Sequence, residues 1–210
     1  MRDIKVATDD GTAYYDIVSR LKRTHLRFTS ASVQEAAKQT DALVITSKKE
    51  AAMFGGEAAA VEDLDRDPLI MEGQLLSRLL ERARRTMLVG VDPGSRIGVV
   101  VFYGGVELGA FTTSSVSECV RSLASIVRGV PHSALSVKIG AGEPKTSGML
   151  ANLLREELPS GSLIEIVDES GTSARTRGVA GATRDQRAAA RIAFRKGVPF
   201  QVAREAKKNS

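Results

Sequence analysis

Three apolar, β-type runs follow one another at residues 87–91, 98–103 and 107–112, separated only by short turns at Pro93-Gly94 and Gly104-Gly105. Connections this short leave no room for a crossover helix, so the runs predict an antiparallel meander. The pattern then alternates. Ser117 can cap a helix whose buried stripe is Val120, Leu123, Ala124 and Val127, ending at Gly129 before Pro131. A strand at 135–139, a helix carrying Met149, Leu150, Leu153 and Leu154, a strand at 163–167 and a last helix over about 184–196 follow. The order β-β-β-α-β-α-β-α predicts a mixed sheet covered by helices.

The first 85 residues are patterned differently. A β-type run at 4–8 leads into Asp9-Asp10-Gly11-Thr12, which has the residues that cap and start a helix, and Tyr14, Ile17, Val18 and Leu21 then recur at helical spacing. A strand at 26–30, a short helix with Val33, Ala36 and Ala37 on one side, and a strand at 42–46 complete a β-α-β-α-β alternation. Such alternation predicts a small parallel sheet. Residues 54–68 read as loop, and a helix with Leu76, Leu79, Leu80 and Ala83 in its stripe is expected over about 70–85. The chain is therefore expected to be α/β throughout, with a small parallel-sheet domain at 1–85 and a mixed-sheet domain at 86–210. Dimerisation or partner docking is the expectation for the first, by analogy of fold alone.

Bulk properties narrow the function classes. Hydrophobic residues are 42% and charged residues 26% of the chain, which supplies a core and excludes wholesale disorder. No apolar run approaches the roughly 20 residues that span a bilayer, and the N-terminus lacks an apolar leader, so no membrane partner and a cytoplasmic location are expected. Cys119 is the single cysteine, which excludes an internal disulfide and a cysteine-built zinc site; its neighbours suggest a buried thiol. The net charge of +5 is unevenly spread, with residues 50–72 mostly acidic and 175–208 strongly basic. A basic segment of this kind suits either a polyanion partner or a solvated surface.

The candidate chemistry is carried by carboxylates. Asp92 closes the first run of the meander, within Leu88-Val89-Gly90-Val91-Asp92-Pro93-Gly94-Ser95-Arg96-Ile97-Gly98-Val99. An aspartate at the end of a central strand can hold a hard divalent cation, and the same four residues also make a good hairpin turn. This segment resembles the opening motif of the RuvC and YqgF branch of the RNase H-like superfamily. Residues 137–144, ending in Gly140-Ala141-Gly142-Glu143-Pro144, are similar to the family's fourth-strand segment, and Glu143 is its acidic candidate there, displaced a few residues beyond the strand. Residues 164–173 resemble the strand that ends in an Asp-Glu pair before a threonine-bearing loop, with Ser170 where the family usually has arginine. The resemblance makes Glu169 the second expected ligand, and strand alternation turns Asp168 and Glu169 opposite ways. Residues 184–192 look like the family's last motif, an aspartate, Asp185, opening a helix with alanines behind it. Asp185 suits metal binding and equally suits capping or dipole compensation at a helix N-terminus.

What the resemblance implies is an RNase H-like fold and a Mg²⁺- or Mn²⁺-dependent nuclease acting on structured DNA or RNA. Asp92, Glu169 and Asp185 would be its catalytic metal ligands, and Glu143 and Asp168 further candidates. Arg184, Arg187, Arg191 and Arg195 are expected on a stripe adjoining Asp185, and Arg175 and Arg177 in the preceding loop, where they could hold nucleic-acid phosphates or form a solvated face. The alternative is a catalytically inactive nucleic-acid-binding protein of the same fold; a homodimer is compatible with either. A nucleotide-binding protein of the actin and sugar-kinase type would need two related units, and the sequence has one. Asp9 and Asp10 resemble the acidic pair of receiver domains, but the third strand ends in Thr46-Ser47 with no phosphoacceptor aspartate, so helix capping is the preferred reading.

Overall fold

The computed structural model describes residues 2–39, 41–55, 58–168 and 183–201. The chain divides into two compact units, one of Met1–Arg85 with Ile126–Ser133, the other of Thr86–Ser125 with Ala134–Ser210.

Unit 1 is built on a parallel sheet of β1 (Asp3–Val6), β2 (Thr29–Ser30), β3 (Ala42–Thr46) and β4 (Ala58–Ala60), in the order β2-β1-β3-β4. All five residues of β3 are buried, as expected of a parallel strand covered on both faces. Ile4, Val6, Leu43 and Ile45 share one core with Ile17 and Leu21 of α1 (Gly11–Leu21) and with Met71 and Leu75 of α3 (Pro68–Leu79). Val44 turns the other way and meets Val33 and Ala36 of α2 (Val33–Ala37) and Phe54. The capping signals act as their residue types dictate. Asp10 accepts from Thr12 N at 2.8 Å and Ala13 N at 3.1 Å, Ser32 and Glu35 form a reciprocal capping box, and Asp67 caps α3 with Pro68 in its first turn.

Three elements differ from expectation in this half. The strand expected at 26–30 is confined to Thr29–Ser30, α3 ends at Leu79 rather than near residue 85, and the stretch read as loop contains β4. Three alanines carry almost no β-type signal, so β4 is legible only from its pairing with β3.

Unit 2 is built on a mixed sheet in the order β10-β9-β8-β5-β6-β7. β5 (Thr86–Asp92), β6 (Ile97–Tyr103) and β7 (Val106–Thr113) form the antiparallel meander, with a register irregularity at Val101/Phe102. β8 (Ala134–Gly140) and β9 (Leu163–Val167) add parallel to β5, and the two-residue β10 (Val198–Pro199) closes the far edge antiparallel to β9. α4 (Val116–Gly129) lies between β7 and β8 in the chain and α5 (Pro144–Glu157) between β8 and β9; α5 packs on β8 and β9. One face of the sheet buries Met87, Val89, Val91, Val99, Val101, Val137 and Ile139. Across the other runs α6 (Arg184–Ala193), whose Ala189, Ala190 and Ala193 pack with Val100, Leu88, Phe102 and Ala110. Among the described residues no helix is long and apolar enough to cross a membrane.

Candidate functional site

Asp92 is the last residue of β5 and pairs across the meander with Gly98 of β6. Directly opposed residues of an antiparallel pair point to the same face, and alternation along β5 puts Asp92 on the face of Leu88 and Gly90, the one that α6 covers. The helix approaches so closely because the sheet has no side chain beneath it at two points. A methyl group on Gly98 would overlap the backbone carbonyl of Asp185 and lie 2.9 Å from its Cβ, and one on Gly90 would overlap the Ala189 carbonyl and lie 2.8 Å from Ala193 Cβ. The alanines on the helix and the glycines on the strands are thus two halves of one contact. Its consequence is that Asp185 rests on the cross-strand neighbour of Asp92.

The helix cap bears on the two readings of Asp185. Thr183 Oγ1 accepts from Gln186 N at 3.3 Å, and Gln186 Oε1 accepts from Thr183 N at 2.9 Å. Capping is therefore performed by Thr183 and Gln186, and Asp185 sits in the first turn without being the cap. Its charge still complements the helix dipole there.

Of the other expected carboxylates, Glu143 and Asp168 are the two within the described residues. Asp92 stands one residue beyond Val91, which pairs with Ile139, so the neighbouring strand offers Gly140 at that level, not a carboxylate. Glu143 comes three residues later, exposed at the N-cap position of α5, with its main-chain carbonyl accepting from Ser147 N and Oγ, both at 2.9 Å. Asp168 is exposed just past the end of β9, and its carbonyl accepts from Arg195 Nη1 at 3.3 Å. Glu169, Arg175 and Arg177 lie outside the described residues. Among the described residues, no three His, Cys, Asp or Glu side chains gather into a group that could hold a metal ion.

Arg184, Arg187 and Arg191 are exposed. At about 100° per residue they form a stripe nearly opposite the buried side of α6, which carries Ala189, Ile192 and Ala193. They therefore line the outer face of the helix and not its margin at the sheet. Arg195 does not share the stripe, because α6 ends at Ala193 and Arg195 turns back, partly buried, toward Asp168.

Two polar features escaped the reading of the sequence. Lys138 and Glu165 pair within the sheet on the α6 face, Nζ to Oε2 at 3.4 Å, with 16% and 12% of their side chains exposed. Charged residues at inward positions of apolar strands were the available signal. In unit 1, Glu50 closes the crevice at the carboxyl ends of β1 and β3, accepting from Ser47 Oγ at 2.6 Å, Asp9 N at 2.8 Å, Thr46 Oγ1 at 3.1 Å and also from Thr8 Oγ1. Burial pushes its pKa upward, but the hydrogen bonds from Ser47, Thr8, Asp9 and Thr46 outweigh that and hold it at about 2. In a sheet ordered β2-β1-β3-β4 this crevice is the switch point where ligands commonly bind, and here the chain's own carboxylate occupies it.

The remaining titratable groups of note are structural. Glu72 is buried in α3 and accepts from His25 N at 3.0 Å, while the His25 ring is largely exposed. Burial raises the Glu72 pKa against the opposing hydrogen bonds and charge of His25. Cys119 is fully buried, and burial, with Glu118 beside it, pushes its thiol up to about 12.

No curated protein matches the chain. Residues 3–70, about a third of the chain, are similar to a response regulator receiver-like domain. That similarity falls on the parallel sheet and helices of unit 1, and it leaves unit 2, with Asp92 and Asp185, outside its span.

Proposed function

We propose that unit 2 is an RNase H-like domain of the RuvC and YqgF type that hydrolyses phosphodiester bonds of structured DNA or RNA with Mg²⁺ or Mn²⁺. The observation that carries the reading is the packing of Asp185 on Gly98, the residue paired with Asp92, at the end of a strand that β6 and β8 flank and stiffen. From β5 to α6 the elements follow the β-β-β-α-β-α-β-α order that the motif resemblance implies.

Carboxylate oxygens are hard donors and suit these cations, so the residue types at the site fit the group. Asp92 and Asp185 would hold it, with Glu169 as the third ligand that the resemblance implies. Bound there, the metal supplies Lewis-acid stabilisation of the phosphoryl oxygens and a water of lowered pKa. The chain contributes rigid placement of the carboxylates by β5 and α6, and guanidinium groups that bind phosphates of the substrate.

A second reading, a nucleic-acid-binding domain without catalysis, is favoured by Gly140 standing beside Asp92 and by the displacement of Glu143. One experiment separates the two. Full-length protein and Asp92→Asn are incubated with Mn²⁺ and a panel of junction, flap, hybrid and single-stranded substrates. Cleavage by the wild type alone supports the nuclease. Binding by both proteins with cleavage by neither replaces it with the second reading.

A further inference from the structure

From Gly98 and Gly90, helix α6 continues across the sheet toward β8 and β9. At the level of Gly90, β8 carries Lys138 and β9 carries Glu165. Lys138 Nζ pairs with Glu165 and also donates to the main-chain carbonyl of Arg195, two residues past the end of α6. Ser136 Oγ donates to Glu165 at 3.5 Å, and a methyl group on Gly197 would lie 2.7 Å from Glu165 Cβ, so the turn after the helix is seated on the same pair.

A mostly buried ion pair of this kind is weak as a source of stability, since apolar residues of similar volume often do as well. What it can supply is position. The sheet-facing side of α6 is mainly alanine, with Ile192 its one large buried residue. Methyl groups packed on glycine permit close approach, but they offer few projecting side chains to stop the helix from sliding along its axis. An ammonium held against the carbonyl just past its C-terminal end, where the helix dipole is negative, fixes that coordinate.

We propose that Lys138 is a positioning residue: held by Glu165, it clamps the C-terminal end of α6 through the Arg195 carbonyl and thereby sets Asp185 over Gly98 beside Asp92. The metal-site part of this assignment rests on the nuclease reading, whereas the clamping of α6 does not. A helix moves as a rigid body, so release at one end displaces the carboxylate at the other; partners bonded directly to a ligand typically carry about 10- to 100-fold in metal affinity, and a clamp acting through the helix is expected at the lower end of that range.

The test uses full-length protein and Lys138→Met/Glu165→Gln, which leaves no buried charge unpaired. Three quantities are measured: Mn²⁺ affinity by electron paramagnetic resonance, thermal unfolding, and metal-free amide exchange over residues 187–193. The expected result is a variant that unfolds within a few degrees of the wild type, binds Mn²⁺ about 10-fold more weakly, and exchanges faster in α6 but not in β5. A folded variant with unchanged Mn²⁺ affinity and unchanged α6 exchange overturns the proposal. Should the wild type bind no Mn²⁺, the nuclease reading fails, and the exchange measurement alone decides the clamp. If the double variant does not fold, Lys138→Met alone decides, because it removes the ammonium from the Arg195 carbonyl: faster amide exchange in α6 than in β5 is expected, and unchanged α6 exchange overturns the assignment to Lys138.

Discussion

Asp185 lies with its backbone against Gly98, at a distance that leaves no space for a side chain on the strand. Because Gly98 is paired with Asp92, any group added there acts on the separation of the two carboxylates. Gly98→Ala is expected to lose about 1–3 kcal/mol of stability, the usual cost of overpacking, and to weaken Mn²⁺ binding. Gly90→Ala meets the Ala189 carbonyl in the same way, one turn along the helix, and should cost similar stability. Thermal unfolding of both variants checks the contact, and a Gly98→Ala protein as stable as the wild type would show that the helix does not approach this closely.

The glycines explain why this site was only partly legible in the sequence. Asp92 and Asp185 could be named because each stands at the end of an element whose periodicity is plain: an apolar run for β5, and alanines at helical spacing for α6. Their proximity depends on Gly90 and Gly98, which within apolar strands read equally as bulges or turn ends. The meander, the strand at Leu163–Val167 and the start of α6 were visible because hydrophobic pattern and turn residues agree there. β4 and β10 were not, since three alanines and a Val-Pro pair acquire strand character only from the partner beside them. Glu50 was hidden for a related reason. Its role comes from hydroxyls just past β1 and at the end of β3, far apart in the chain.

The Glu50 carboxylate gives unit 1 a defined acid response. Its folded pKa of about 2 lies below the ordinary value of 4.5, so the stabilisation is fully present above about pH 4.5 and is lost as pH falls through about 2. Because the group is only partly buried, solvent screening reduces the contribution to about 1–2 kcal/mol. Glu50→Gln should therefore be less stable than the wild type at pH 7 by about that amount, and the difference should close toward pH 2. Urea unfolding at pH 7, 4 and 2.5 measures it, and a gap that is constant with pH would remove the carboxylate's charge from the explanation.

Glu72 has the opposite sign. Its folded pKa is raised, so the folded state holds the proton more tightly than the unfolded chain, and the stability this gives below the ordinary pKa is eroded as pH rises through the folded value. At neutral pH the ionised group carries the desolvation penalty. Glu72→Gln keeps an acceptor for His25 N and removes the charge, so it should be at least as stable as the wild type at pH 7 and lose that advantage at pH 4. Thermal unfolding at the two values decides. Destabilisation at pH 7 would mean that the charge interaction with His25 outweighs burial.

The exposed stripe of Arg184, Arg187 and Arg191 on the outer face of α6 makes a separable prediction about nucleic acid. If phosphates lie against this face, each arginine releases counterions on binding, and the logarithm of affinity falls with the logarithm of salt by roughly 0.9 per neutralised phosphate on duplex DNA. Replacing all three with glutamine should flatten that slope by roughly 2 to 3 and weaken binding across sequences, because phosphate contacts carry no base information. Mn²⁺ affinity should stay as it was, since the stripe points away from the side of α6 that meets the sheet. Fluorescence anisotropy with a labelled duplex at a series of salt concentrations reads the slope directly. A triple variant with the wild-type slope would make this a solvated helix face and move the search for phosphate contacts to other arginines of the basic C-terminal segment.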